Sequence, residues 1–131
     1  MSNFQIIRTN NAPSPVGPYN QAIAAQGRLL FLAGQIPLHP ETGELVGEND
    51  ITEQTQQVMK NIAAIMAAAG ANWQNVVKTT VFLSNLTNFT PMNQVYGQYF
   101  NEETAPARAC VEVSRLPKDV LVEIECIAII P

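Results

Sequence analysis

The sequence predicts an α+β fold with two helices on one face of a sheet. Three observations carry this. The segments run strand, hairpin, helix, strand, helix, strand, strand. Asp50 to Ala69 carries one apolar stripe at helical spacing. Val120 to Ile130 is a largely β-branched apolar run that Glu123 and Glu125 interrupt. With no internal repeat, low-complexity tract or linker, residues 1–131 read as one domain.

Phe4 to Thr9 alternates weakly and reads as a short strand. Asn10 to Pro18 holds three prolines and a glycine, which predicts an extended loop ending in Gly17-Pro18-Tyr19. The plain reading of Tyr19 is a packed ring with a hydrogen-bonded hydroxyl. Ala22–Ala25 and Leu29–Ala33 flank Gln26-Gly27-Arg28, a hairpin signal. Gly34 at the end of that run predicts a bulge, or a close approach by a ligand or another strand. His39 to Glu44 reads as a surface turn with a solvated histidine.

Asp50 can cap the long helix, and Glu53 occupies the capping-box position. Ile51, Thr55, Val58, Ile62, Ile65, Met66 and Ala69 form the stripe. Gln54, Gln57, Lys60 and Asn61 are expected on the solvated side, and Gly70 at the left-handed C-terminal cap. Val76 to Leu83 predicts a strand and Asn85 to Asn88 a turn. Thr90 is expected to cap the second helix with Pro91 at its first position. Met92, Val95, Tyr96, Tyr99 and Phe100 make its apolar side.

The last two strands, Pro106–Val113 and Val120–Ile130, flank a turn at Ser114–Asp119. Val122, Ile124, Cys126, Ala128 and Ile130 form one apolar face of the final strand. Leu121, Glu123, Glu125, Ile127 and Ile129 form the other. Leu29 to Ala33 is likewise apolar on both faces. Only one face can lie under the helices, so the other predicts an oligomer packed sheet against sheet, with the carboxylates near its seams.

Composition points the same way. The chain is 47% hydrophobic and 14% charged, with a net charge of −4. That is few charges to cover a surface, and the scattered basic residues give no nucleic-acid footprint. The N-terminal residues lack a signal peptide's basic and apolar regions, and no apolar run approaches ~20 residues. Cys110 and Cys126 read as buried reduced thiols of a cytoplasmic protein, bridged only if their strands happen to be neighbours. No Cys/His cluster suggests a metal site.

Chemistry concentrates at Arg108 and Glu123. Arginine grips a carboxylate bidentately and stays charged; a glutamate can hold water and move protons. If the last two strands pair, Arg108 and Glu123 meet at a buried seam. On the residues alone an ion pair satisfying two buried charges is the favoured reading. Hydrolysis of a small anionic substrate held by Arg108 is the second. Glu112 and Glu125 compete with Glu123. Cys110 is a poor nucleophile, with no histidine beside it and apolar surroundings to raise its pKa.

Six stretches together resemble the RidA (YjgF) family. They are Gly17-Pro18-Tyr19, Gly34-Gln35-Ile36, Asn75 to Val81, Met92 to Tyr96, Pro106 to Val113, and Leu116 to Asp119 continuing through Glu123-Ile124-Glu125. The resemblance implies a chorismate-mutase-like fold and a homotrimer whose sheets line a central barrel. It implies hydrolysis of 2-iminopropanoate and 2-iminobutanoate, formed by serine and threonine dehydratases, to 2-oxo acids and ammonia, without metal or cofactor. It assigns substrate-carboxylate binding to Arg108 and water positioning to Glu123. Cys110, Tyr19, Gly34 and Asn93 match further pocket positions, in a pocket between subunits. The alternatives are a ligand-binding regulator without turnover, a ribonuclease or translation inhibitor, or a chaperone-like scaffold.

Overall fold

The computed structural model describes residues 4–130. Strands β1 (Phe4–Ile7) and β2 (Ala22–Ala25) pair antiparallel as a small separate ribbon. The main sheet contains β3 (Arg28–Gln35), β4 (Val76–Leu83), β5 (Ala107–Glu112) and β6 (Val122–Ile130), in the order β3-β6-β4-β5. Helices α1 (Ile51–Ala68) and α2 (Phe89–Tyr96) pack on each other and on one face of it. The α+β class with two helices on one face is as predicted.

Two pairings differ from the sequence expectation. β2 and β3 do not form a hairpin. Gly27, at φ 130°, turns the chain out of the ribbon, and β3 pairs with β6. β6 offers β3 a fully apolar partner face, whereas β2 is four residues of mostly alanine. The last two strands are not neighbours either. β5 runs parallel to β4, and β4 stands between β5 and β6. A parallel pair needs a long crossover, and the α2 segment between β4 and β5 provides it. The connection from β5 to β6 includes a 3₁₀ turn at Pro117–Asp119, which is too long for a tight hairpin and carries the chain past β4.

The Asp50 cap of α1 is as predicted, its side chain accepting from the Glu53 N–H over 3.1 Å, but the capping box is not completed, because the Asp50 N–H bonds the Gly47 carbonyl. It ends with Gly70 at φ 75° and an Ala71 N–H bonded back to the Met66 carbonyl. The buried stripe includes Val58, Met59, Ile62 and Met66, while Ile65 is partly exposed. Gln54 is not solvated. It is buried, its Nε2 donates to the Gly47 carbonyl, and its Oε1 accepts from Leu121 N–H. A long amide can serve a helix position on the core side when two backbone groups await it.

α2 begins at Phe89, after a 3₁₀ turn at Leu86–Asn88 capped by Asn85. Asn88, not Thr90, stands at its N-cap, and Pro91 falls in the first turn, where its missing N–H costs little. His39 anchors its own turn, its Nδ1 accepting from Glu41 N–H over 3.1 Å. Cys110 and Cys126 are free thiols on strands that β4 separates; Cys126 is buried as expected, but Cys110, on the edge strand, is only half-buried. None of the described helices is long and apolar enough to cross a membrane.

Candidate active site

Residues paired across a sheet share a face. Thr79 on β4 pairs with Arg108 on one side and Cys126 on the other. Thr79 and Cys126 are buried under the helices, so Arg108 and, two residues on, Cys110 face the helices too. Phe82, three residues along β4, pairs with Val111 and Glu123. Glu123 therefore occupies the opposite face. Arg108 lies on the edge strand β5, and Glu123 sits near the other edge, beside β3. The ion pair expected from sequence does not form, because β4 separates the two strands and the odd spacing along β4 turns them to opposite faces.

Arg108 is half-buried, and among the described residues it has no carboxylate partner: the ion pair found there joins Arg115 to Asp119 at the surface. Neutral groups hold it instead. Its Nη1 donates to the Asn93 Oδ1 over 2.6 Å. Its Cζ lies 4.8 Å from the centre of the Tyr96 ring, 5.4 Å from Tyr19 and 5.6 Å from Phe89. Gly17 closes the remaining side: a β-carbon there would stand 3.3 Å from Arg108 Nη2 and 3.5 Å from Asn93 Nδ2.

These contacts come from separate elements. Asn93 and Tyr96 lie one turn apart on α2, so both face β5. Tyr19 is aimed by its loop, its N–H bonded to the Gly17 carbonyl and its Oη accepting from Val16 N–H over 3.3 Å. Gly17 and Tyr19 also line an open cavity of about 530 Å³ with Arg8, Val16, Glu102 and Glu103. Burial pushes the Cys110 thiol up and the Arg108 charge pulls it partly back. The thiol is thus the neutral form at ordinary pH, a wall and not a nucleophile.

On the opposite face, the Glu123 carboxylate lies against the backbone of Gly34. A β-carbon on Gly34 would collide with the carboxylate and stand 2.9 Å from its Cδ. The close approach predicted at Gly34 is thus made by the side chain of the neighbouring strand, at the register shift between Leu32 and Gln35. Glu112 is committed elsewhere, its Oε1 accepting from Leu86 N–H over 2.8 Å. Glu125 is exposed.

Of the six predicted site residues, the chain gathers Arg108, Asn93, Tyr19 and Cys110 in one place and Gly34 with Glu123 in another. Sequence reasoning missed Tyr96, Phe89 and Gly17 as neighbours of Arg108. Tyr96 reads as an ordinary apolar-stripe residue. Gly17 has a usable signal, a small residue fixed between a proline-rich loop and an aromatic.

The sequence profile of the Endoribonuclease L-PSP family matches residues 9–130. A RutC family protein of Synechocystis is 59% identical over 128 residues, covering 98% of both chains. The 2-iminobutanoate/2-iminopropanoate deaminase of Escherichia coli K12 is 46% identical, covering 94% of this chain and 95% of that one. Among solved structures, a Rid family protein of Yersinia pestis superposes with a TM-score of 0.75 at 51% identity, covering 97% and 99%. E. coli TdcF with bound serine superposes with a TM-score of 0.72 at 43% identity, with the same coverage. The profile match spans nearly all the sequence, and the identities hold along whole chains: the chain belongs to the RidA (YjgF) branch of the Endoribonuclease L-PSP family.

Proposed function

We propose that the protein hydrolyses 2-imino acids such as 2-iminopropanoate and 2-iminobutanoate to 2-oxo acids and ammonia. The observation that carries this is Arg108, a half-buried cation held by an amide and three rings, with no anion beside it among the described residues. A half-buried cation bedded on neutral groups keeps its charge available for an anionic ligand. A planar fork suits a carboxylate. The E. coli relative's name supplies the reaction.

In this reading Arg108 takes the substrate carboxylate, and backbone groups around Gly34 and Cys110 orient the imine. Glu123 accepts a proton from water as the oxygen attacks the imine carbon. The C=N bond becomes a C–N bond in a carbinolamine, whose nitrogen takes up the proton. Glu123 then takes the proton of the carbinolamine hydroxyl and gives it to that nitrogen, so the C–N bond breaks, ammonia leaves and the oxygen closes to a carbonyl. The gain comes from positioning and from the fixed charge of Arg108.

One chain holds Arg108 and Glu123 on opposite faces and near opposite edges of its sheet. The site is therefore completed by Glu123 and Gly34 of a second copy, in a homotrimer that packs sheet against sheet. Leu29, Phe31 and Val111 leave that sheet face apolar and exposed, Phe31 at 69%.

Mixing the protein with a threonine dehydratase and following 2-oxo acid release tests the reading. Acceleration that disappears in Arg108→Ala is expected. No acceleration by the wild type, or acceleration undiminished in the variant, contradicts it. Salt-sensitive cleavage of RNA by contaminant-free protein would favour the nuclease reading instead.

A further inference from the structure

Three rings surround Arg108, but one of them is built differently. Tyr96 is fully buried, and its ring is the nearest to the guanidinium, at 4.8 Å. Its hydroxyl meets the Thr79 Oγ1 at 2.7 Å. Thr79 is itself buried and stands in register with Arg108 on the adjacent strand. Phe100 packs on the ring at 4.9 Å between centroids. The ring is therefore pinned at its hydroxyl end by the strand beside Arg108, and backed by a second ring.

We infer that Tyr96, anchored by Thr79, is a positioning residue that sets the place of the Arg108 guanidinium for its anionic ligand. This rests on the reading of Arg108 as a carboxylate clamp. A guanidinium stacks on a ring face and is attracted by its quadrupole, most strongly where water is excluded. The ring attracts the cation without cancelling its charge. A carboxylate in the same position would also hold Arg108, but it would compete with the ligand. Burial pushes the Tyr96 hydroxyl up to about 12, so it stays neutral across the working range. The fold thus supplies a rigid, uncharged bed for a cation whose charge is reserved for the ligand. A purely structural tyrosine would also need a partner for its hydroxyl, but not its ring over the Arg108 guanidinium.

The test uses the assembled protein, with pyruvate as the binding probe and the dehydratase-coupled assay as the kinetic one. Tyr96→Phe keeps the ring and should bind pyruvate within about threefold of wild type. Tyr96→Leu and Phe89→Leu remove a ring and should weaken pyruvate and raise KM by about five- to twentyfold, while kcat moves much less. Thr79→Val strands the hydroxyl and should weaken binding, and Thr79→Val/Tyr96→Phe, with no hydroxyl left to satisfy, should restore it. If Tyr96→Leu does not fold, Thr79→Val and its double variant with Tyr96→Phe carry the test. Folded ring variants that bind pyruvate as wild type does, or that lose kcat with KM unchanged, overturn the inference. Arg108→Lys separates the two levels. If it weakens pyruvate while the ring variants do not, only the role of Tyr96 falls. If it also binds as wild type, the clamp itself falls.

Discussion

The Nη1 of Arg108 donates to the Oδ1 of Asn93 over 2.6 Å, and this bond fixes which way the Asn93 amide points. A guanidinium cannot accept a hydrogen bond, so the oxygen must face it and the NH₂ group must face Gly17. Substituting Asn93→Asp keeps the shape and the acceptor but adds an anion. Arg108 would then be neutralised in place. Asn93→Asp is expected to fold as well as wild type yet raise KM for 2-imino acids by about tenfold or more, because the substrate carboxylate meets a paired cation. Asn93→Ala should weaken binding less. Steady-state kinetics on the two variants, with thermal scans beside them, check the order.

The Glu123 carboxylate occupies the volume where a side chain on Gly34 would begin. Gly34→Ala must therefore move the carboxylate, which is the far end of a flexible side chain. The fold should survive with a small change in Tm, while kcat falls by about tenfold or more, since misplacing a group that positions water by an ångström is costly. Circular dichroism and the coupled assay read the two effects separately. Wild-type activity in a folded Gly34→Ala protein would remove Glu123 from the mechanism.

Gln54 bridges a loop and the start of the last strand, from Gly47 to Leu121. Gln54→Leu fills the same volume but leaves a carbonyl and an N–H without partners. A loss of about 2–4 kcal/mol is expected, read as a lower midpoint in chemical denaturation at fixed protein concentration. Among the described residues the half-buried Gln57 side chain bonds only Asn61, and Gln57→Leu should change stability far less.

Burial, reinforced by the charge of Glu125, pushes the Cys126 thiol up to about 12. Burial also raises the Tyr96 hydroxyl to about 12, against a weaker opposing effect of its Thr79 bond. Each group is still protonated in the folded chain where the unfolded chain has lost its proton. Stability is therefore complete below the ordinary thiol range and falls as pH rises through about 9 to 12. Tm measured from about pH 8 to about pH 11 should decline, and the decline should be shallower in Cys126→Val. Cys110→Ser should retain activity, because the thiol is a neutral wall and not a nucleophile.

The helices were legible where local signals agree. Asp50, Glu53 and Gly70 bracket α1, and the stripe through Val58 and Ile62 orients it. The strands were legible as strands but not as neighbours. Alternation along β5 and β6 is silent about β4 slipping between them, and pairing is decided by which long-range partner covers the most apolar surface. Proximity of Arg108 and Glu123 depends entirely on that pairing, so the ion pair was the natural error. Gln54 was misread for a related reason: its partners, Gly47 and Leu121, are backbone groups 7 and 67 residues away and carry no sequence signal. The aromatic bed of Arg108 was hidden because Tyr96 and Phe89 look like any core residues. By contrast, Gly34 announced a close approach correctly, and the two-sided apolar strands left one sheet face uncovered, as the exposed Leu29 and Phe31 show.

In the proposed function Arg108 of one copy works with Glu123 of another. Arg108→Ala and Glu123→Ala chains, each inactive or nearly so alone, can be unfolded together in equal amounts and refolded. If the site is shared around a trimer, random mixing rebuilds about one quarter of the sites with both residues intact. Release of 2-oxo acid at about that fraction of the wild-type rate is expected. A mixture no more active than its separate components, in trimers shown to contain both chains, would contradict it.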